Sequence, residues 1–148
     1  MSYSPSDQPL LKLDQFQVKK IDFEVEKLLD KTITKELNFN LGYRPLHHSE
    51  EKSRFAIEFE IKLKNEEENL KLNLVAIGHF LTKNVTIDED FLNSDFVKLN
   101  APAIVFPYVR SFITTVVVNS GLNPVILPTF NFNKLKEKEK PETPSTTN

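Results

Sequence analysis

Residues 99–133 read LNAPAIVFPYVRSFITTVVVNSGLNPVILPTFNFN, and this stretch decides the fold. Asn100 and Pro102 near its start are residue types that favour the first turn of a helix, and Gly121 is one that favours a helix end. Between them, residues 112–118 are β-branched enough to predict a strand from propensity alone. The stretch is therefore either a helix or a strand, and propensity does not decide which.

The spacing of polar and apolar residues favours the helix. A polar stripe lies opposite an apolar stripe when the residues are placed at helical intervals. The polar stripe is Arg110, Ser111, Thr114 and Thr115, and the apolar stripe is Val105, Val109, Phe112 and Val116. We therefore predict a helix capped by Asn100 and ended by Gly121, with Pro107 kinking or delaying its first turns.

Four upstream segments alternate apolar and polar residues with the period of two that is typical of strands. The first changes phase near Lys19 and Lys20, which predicts a one-residue bulge. Short connections predict an antiparallel meander, and the end of the fourth strand is apolar on both faces. The fold class is therefore α+β, a four-stranded antiparallel sheet with a long C-terminal helix packed on it. The four segments are residues 16–25, 36–43, 54–64 and 70–81.

Length and composition predict one folded domain between two disordered ends. We expect a disordered N-terminus at residues 1–9, a domain at residues 10–133, and a disordered Lys-, Glu- and Pro-rich tail at residues 134–148. The net charge of −2 provides no basic footprint for nucleic acid. The N-terminus does not resemble a secretory signal, and Arg110 and several hydroxyls interrupt the apolar stretch 101–118. We therefore expect a cytoplasmic protein without membrane insertion.

No pattern in the chain predicts an active site, a metal site or a cofactor. The three histidines, His47, His48 and His79, have no metal-ligand spacing, and there is no cysteine to complete a site. Three glycines are too few for a glycine-rich phosphate loop, and no serine lies in a nucleophile-elbow motif. We predict a protein that is not an enzyme.

The apolar residues of the C-terminal half are the stronger functional signal. They are too numerous for one short helix to hide, so they are either ordinary core or part of an exposed or subunit-covered groove. Such a groove would bind unfolded polypeptide by apolar burial with little demand on sequence. The residues are Phe106, Tyr108, Leu122, Val125, Ile126, Leu127, Phe130 and Phe132.

The ordered series APAIVFPYVR, FITTVV, a Gly-x-Asn-Pro turn and LPTFNF resembles the signature region of the SecB family, and FQVKKIDFEV at residues 16–25 is similar to its first strand. The resemblance implies a cytosolic chaperone that assembles as a dimer of dimers with the long helices between the sheets. It implies that unfolded or nascent preproteins bind along apolar grooves without ATP or a cofactor. It also implies transfer of these clients to the motor SecA.

With this resemblance, three sets of residues receive expected roles. Glu24 matches an acidic position of the family's motor-docking surface. The expected oligomer interface is the apolar helix stripe Val105, Val109, Phe112 and Val116. The expected client-binding groove is Tyr43, Leu46, Phe106, Tyr108, Leu122, Val125, Ile126, Leu127 and Phe130.

The chain also departs from the family pattern. Lys20 and Asn73 stand where acidic residues are expected, and a Lys/Glu/Pro-rich tail replaces the usual second helix. Client binding is therefore better supported than docking to SecA, and the oligomeric state is open. Two alternatives remain: a chaperone dedicated to one partner, such as an antitoxin, or a non-enzymatic protein that binds an apolar ligand.

Overall fold

The computed structural model describes residues 11–28, 31–34, 36–47, 50–83 and 85–132. The two segments predicted to be disordered, 1–9 and 134–148, lie outside the described residues, and so does His48.

The described residues form four strands and one long helix, so the predicted α+β class is confirmed. A 3₁₀ helix, Lys31–Thr34, follows the first strand, and a short helix α1, Glu89–Leu92, follows the fourth. A π-helical turn, Phe96–Asn100, leads directly into the long helix α2, Ala101–Asn119. The strands are β1 (Leu11–Val25), β2 (Leu37–His47), β3 (Arg54–Asn65) and β4 (Leu70–Thr82).

The strand order is β1-β4-β3-β2, with every neighbouring pair antiparallel. The predicted meander is correct for β2, β3 and β4 but wrong for β1, which pairs with β4 rather than with β2. The reason lies in β4, whose residues Val75, Ile77 and Leu81 are half-buried on the face opposite the core. A strand that is apolar on both faces is more stable in the centre of a sheet than at its edge.

The bulge predicted in β1 is confirmed. The pairing with β4 shifts between Val18 and Lys20, so Phe16 and Phe23, which have opposite sequence phase, both pack against the core. A second shift lies between Leu13 and Gln15. The strand also begins at Leu11, five residues earlier than the alternation predicts, because the bulges disturb the period of two.

One face of the sheet forms the core, and we call it the inner face; the opposite one is the outer face. Ten inner-face side chains of β3 and β4 are at most 2 % exposed. Burial of each large one contributes about 1.5–3 kcal/mol relative to exposure. These residues are Phe55, Ile57, Phe59, Ile61 and Leu63 of β3, and Leu70, Leu72, Leu74, Ala76 and Phe80 of β4.

Strand β2 is an edge strand and continues to His47, beyond the predicted end at Tyr43. It includes Pro45, which cannot donate a backbone hydrogen bond and is therefore tolerated mainly at edges. Its pairing with β3 is regular over all eleven residues. β2 therefore forms a regularly paired edge of the inner face.

The connection between β3 and β4 is a tight turn held by side chains. The Asn65 side-chain carbonyl accepts a hydrogen bond from the Leu70 N–H at 3.1 Å, and Glu68 adopts a φ of 54°. The hydrogen bond from the Lys64 ammonium, with the charges of Lys64 and Lys71, holds the pKa of Glu68 below its usual range. The predicted hairpin is confirmed.

The helix prediction for residues 100–121 is confirmed, but its details differ. Asn100 has helical dihedrals and makes no side-chain cap, because the π-helical turn before it already continues the helix back to Phe96. Pro107 lies inside α2 and does not delay its start. Gly121 ends the helix as predicted: its φ is 88°, and Leu122 N–H donates to Val117 O at 3.4 Å.

The helix Phe96–Asn119 is long and apolar enough to cross a membrane by length and composition alone. We expected Arg110 and the hydroxyls to make this stretch too polar to span a bilayer. By length and composition, that expectation is wrong. Core helices of soluble proteins meet the same criterion, and α2 buries one side against the inner face. The helix by itself is only weak support for a membrane span.

Helix α2 packs closely on the sheet at Gly78 of β4. A Cβ atom at Gly78 would lie 2.4 Å from Cγ2 and 3.1 Å from Cγ1 of Val105, which is fully buried. Valine is stiff at χ1, so it cannot turn away from such an atom at little cost. The absence of a side chain at position 78 therefore sets the distance between helix and sheet.

We expect Gly78→Ala to lower the free energy of unfolding by about 1–3 kcal/mol, because the new methyl group overpacks the contact with Val105. Gly42→Ala is the matched control: Gly42 is also a strand glycine, but nothing lies within 4 Å of its added Cβ. Urea unfolding followed by circular dichroism measures both changes. Equal stability of the two variants would contradict the role given to Gly78.

Candidate functional site

An extended apolar segment follows α2 and lies on the inner face beside β2. We call this segment, residues 122–132, the strap. Val125, Leu127 and Phe132 of the strap are 5–6 % exposed, whereas Ile126 is 94 % exposed. The strap therefore presents alternate side chains to the core and to solvent, as an extended peptide lying on a surface does.

Five aromatic rings join the strap to the sheet and the helix. The Phe130 ring lies 5.0 Å from that of Phe39 on β2 and 5.0 Å from that of Phe106 on α2. The Phe132 ring lies 5.7 Å from Tyr43 and 5.9 Å from Phe106, both edge-on. Contacts of this geometry stabilise by about 0.5–1.5 kcal/mol each beyond burial. They connect the end of the strap to β2 and α2.

Two polar groups border this aromatic cluster. The Arg110 guanidinium lies over the Phe106 ring, 5.1 Å from its centroid. The Tyr43 hydroxyl donates to Lys98 O at 2.9 Å, which ties β2 to the turn before α2. A cation over an aromatic face is favourable. The cluster is thus apolar in its centre and polar only at its border.

Residues 123–130 of the strap are attached to the rest of the described chain mainly by side chains. Within the described residues, no backbone–backbone hydrogen bond involves residues 123–130. Pro124 and Pro128 have no N–H to donate, so they cannot extend the β2 ladder. Burial of Val125, Leu127 and Phe130 is therefore the main attachment.

A cavity of about 260 Å³ lies between the first half of the strap and the sheet. Apart from Thr34, the side chains around it are apolar. The contact between strap and sheet is therefore incompletely filled at this end. The cavity is lined by Thr34, Leu37, Phe39, Leu63, Val125, Ile126, Leu127 and Pro128.

The exposed side of α2 carries three large apolar side chains, with the exposed Ser111 and Thr115 between them at helical spacing. Ile104, Tyr108 and Val118 are 38, 51 and 43 % exposed. Phe112 and Val116 are half-buried, and the Tyr108 ring lies 5.9 Å from that of Phe16 on β1. Within the described residues Tyr108 lies on the β1 side of the helix, away from the strap.

The structure places two of the four expected interface residues in the core of the single chain. Val105 and Val109 are fully buried against the sheet within one chain, so another subunit cannot contact them. The buried stripe of α2 is Val105, Val109, Ile113 and Val117, spaced four residues apart. The apolar stripe predicted from the sequence includes Phe112 and Val116. In the structure, α2 is rotated about its axis, so that Ile113 and Val117 face the sheet instead.

The structure brings five of the nine expected groove residues together. Tyr43, Phe106, Val125, Leu127 and Phe130 meet around the strap, and of these only Phe130 is more than 9 % exposed. A further three lie elsewhere or face solvent: Leu46 pairs with Ala56 on the outer face, Tyr108 lies on the β1 side of α2, and Ile126 points outward. Leu122 is half-buried where the strap begins.

Sequence reasoning missed Phe39 as a member of the site. It was assigned to a strand by its alternation, and its partner Phe130 is distant in sequence. Phe132 was recognised as apolar but was not included in the groove. One sequence feature could have indicated this contact. Phe130 and Phe132 are two residues apart, which matches the spacing of Phe39 and Leu41 on β2.

The outer face carries charges of both signs. Glu58 pairs with Arg44 at 2.9 Å and with Lys19 at 3.8 Å. Glu24 lies opposite Lys71 in the register of β1 and β4, and Asp22 lies opposite Asn73. The acidic side chains therefore alternate with basic or neutral ones and form no acidic surface.

The described residues contain no group of three or more His, Asp or Glu side chains placed to hold a metal ion. His79 contacts the Gln17 side-chain carbonyl at 3.2 Å, and His47 is exposed at the end of β2. The strap region thus contains apolar and aromatic groups without a convergent set of ionisable ones.

Comparison with known proteins identifies the family. An uncharacterised protein of Methanocaldococcus jannaschii is 30 % identical over 125 residues, which are 82 % of this chain and 79 % of that protein. The Mycobacterium tuberculosis Rv1957 SecB-like chaperone, solved with a ChAD peptide from the Rv1956 HigA1 antitoxin, aligns with a TM-score of 0.66 and 11 % identity. The alignment covers 82 % of this chain and 88 % of that one, which shows a shared fold.

A Streptococcus agalactiae protein of unknown function aligns over 81 % of this chain and 97 % of that one, at 14 % identity and a TM-score of 0.48. This likeness adds nothing about function. The family described as "SecB: Preprotein translocase subunit SecB" matches residues 4–143, which is nearly the whole chain. The protein therefore belongs to the SecB family.

Proposed function

We propose that this protein is an ATP-independent chaperone that holds extended, non-native polypeptide on the apolar surface between β2, α2 and the strap. The observation that carries the proposal is the aromatic cluster of Phe39, Phe106 and Phe130, in which Phe39 and Phe130 are half-buried, beside an apolar cavity of about 260 Å³. Such a surface binds by burial and demands little of the client sequence.

The same surface argues against an enzyme and against a small-molecule carrier. A site for one small ligand is usually enclosed and places a few polar groups to orient it. Here the 260 Å³ cavity is open and has only the Thr34 hydroxyl among its side-chain polar groups. The site is better suited to apolar contact with an extended polypeptide than to binding one small molecule in a fixed orientation.

The proposed assembly is a homotetramer, a dimer of dimers, in which a second copy covers the exposed side of α2. Ile104, Tyr108 and Val118 are too exposed in the single chain to be ordinary core. Phe112 and Val116 border them, so half of the expected interface stripe belongs to this surface. We therefore place the proposed interface at Ile104, Tyr108, Phe112, Val116 and Val118.

The proposed location is the cytoplasm, with unfolded or nascent preproteins as clients. Transfer of clients to SecA is the less supported part, because the outer face is not acidic and Glu24 faces Lys71 in the register. A Glu24→Lys variant tests it: if docking is retained, SecA affinity decreases while client affinity is unchanged.

A chaperone dedicated to one partner is the second candidate. It is supported by the mixed charges of the outer face and by the fold shared with a SecB-like chaperone that was solved with an antitoxin peptide. A dedicated chaperone binds one segment tightly and protects unrelated proteins poorly. A panel of unrelated unfolded proteins distinguishes the two candidates.

Client binding is tested by light-scattering mass during size exclusion, with and without a reduced and carboxymethylated protein. We expect a mass near four chains that gains one client chain, and suppression of aggregation of several proteins without nucleotide. Binding to one partner alone would favour the dedicated chaperone. A chain that ignores every client in the panel and also its cognate partner would contradict the proposed function.

We expect Tyr108→Asp to dissociate the tetramer, because it places an unpaired carboxylate in an apolar interface. Ala103→Asp is the matched control, since Ala103 is exposed on the opposite side of the same helix. Light-scattering mass reports the result, and circular dichroism checks that both variants fold. A native mass for Tyr108→Asp would exclude this face as the interface.

A further inference from the structure

The strap lies where an extended client would have to lie. It covers the inner face beside β2, and its rings contact Phe39, Tyr43 and Phe106. Tyr43 and Phe106 are only 9 and 4 % exposed in this arrangement. A client can therefore reach these side chains only after the strap has moved away.

The strap has the properties of a bound peptide. It is extended, Val125 and Leu127 are buried on either side of the exposed Ile126, and no backbone hydrogen bond fixes residues 123–130 within the described chain. Release of residues 123–130 would break side-chain contacts but no ladder of main-chain hydrogen bonds within the described chain. A peptide of similar pattern can make the same contacts in its place.

The strap also fills its site incompletely. The cavity of about 260 Å³ lies directly beside Val125 and Leu127. A client with larger apolar side chains at the corresponding positions would bury more surface and make more contacts there. Such a client would bind this end of the site more tightly than the strap does.

We propose that the strap is an internal ligand of the client site and that a client binds by displacing it. The inference rests on the proposed function and adds both the regulation of the site and the class of client. The client is an extended segment with apolar residues at the strap's own spacing, two residues apart, then three, then two. The positions that set this spacing are Val125, Leu127, Phe130 and Phe132.

Displacement is observable with a single tryptophan, because the chain has none. In Phe130→Trp the indole lies between Phe39 and Phe106, and its emission should be blue-shifted. Adding reduced and carboxymethylated ribonuclease A, an unfolded client without tryptophan, should shift the emission to that of an exposed indole. Phe91→Trp is the matched control: Phe91 packs on Phe55 at the other end of β3, and its emission should not change.

Affinity tests the same inference by comparing a strap variant with a sheet variant. Leu127→Ser in the full chain should strengthen client binding about fivefold to tenfold, because the open site becomes more populated. Phe39→Ser should not strengthen binding, because Phe39 contacts strap and client alike and its loss weakens both attachments. If the strap is instead a fixed wall of the groove, Leu127→Ser weakens binding. Urea unfolding checks that both variants fold.

The outcomes separate the inference from the proposed function. A client that co-elutes with the Phe130→Trp variant without shifting its emission overturns displacement and leaves the chaperone function in place. Weaker binding by a folded Leu127→Ser variant does the same. If Leu127→Ser does not fold, the tryptophan shift alone decides. A native chain that binds neither the ribonuclease nor any other client overturns the function and, with it, this inference.

Discussion

A single helix cannot cover one face of a four-stranded sheet. A helix with its side chains is about 10–12 Å wide, whereas four strands spaced about 4.8 Å apart are nearly 20 Å wide. Helix α2 contacts β4 at Gly78 and β1 through Tyr108 and Phe16, so the inner face of β2 is left over. Leu37, Phe39 and Leu41 of β2 are apolar and need a second cover. The strap provides it, and the candidate site is the region where this cover is least complete.

The contact at Gly78 determines which sides of α2 remain available. With Val105 seated over position 78, the residues at intervals of four, Val109, Ile113 and Val117, also point into the core. Phe106 then faces the strap, and Tyr108 faces away from it. The packing of one residue pair thus separates the proposed client surface on one side of the helix from the proposed subunit surface on the other.

The sequence predicts an element correctly where the spacing of its apolar residues matches the spacing of the residues that are buried in the structure. The β-branched run 112–118 is helical because the helical spacing of its apolar residues buries Ile113 and Val117, and this outweighs a modest intrinsic preference for strand. The bulge in β1 was visible as a change of phase. The pairing of β1 with β4 was not visible, because alternation identifies a strand without identifying its neighbour. The rotation of α2 toward Ile113 was missed for a similar reason, since several apolar stripes were compatible with the sequence.

The sequence alone determined the element types, the α+β class, the family resemblance and the apolar character of the C-terminal segment. These properties depend on residue order and short-range periodicity, which the sequence contains directly. Only the tertiary structure decided that Phe39 and Phe130 are partners, that Val105 and Val109 are core, and that the chain's own strap covers Tyr43 and Phe106. These facts depend on which distant segments share one face of the sheet, and that choice is made by the burial of the whole face rather than by any local pattern.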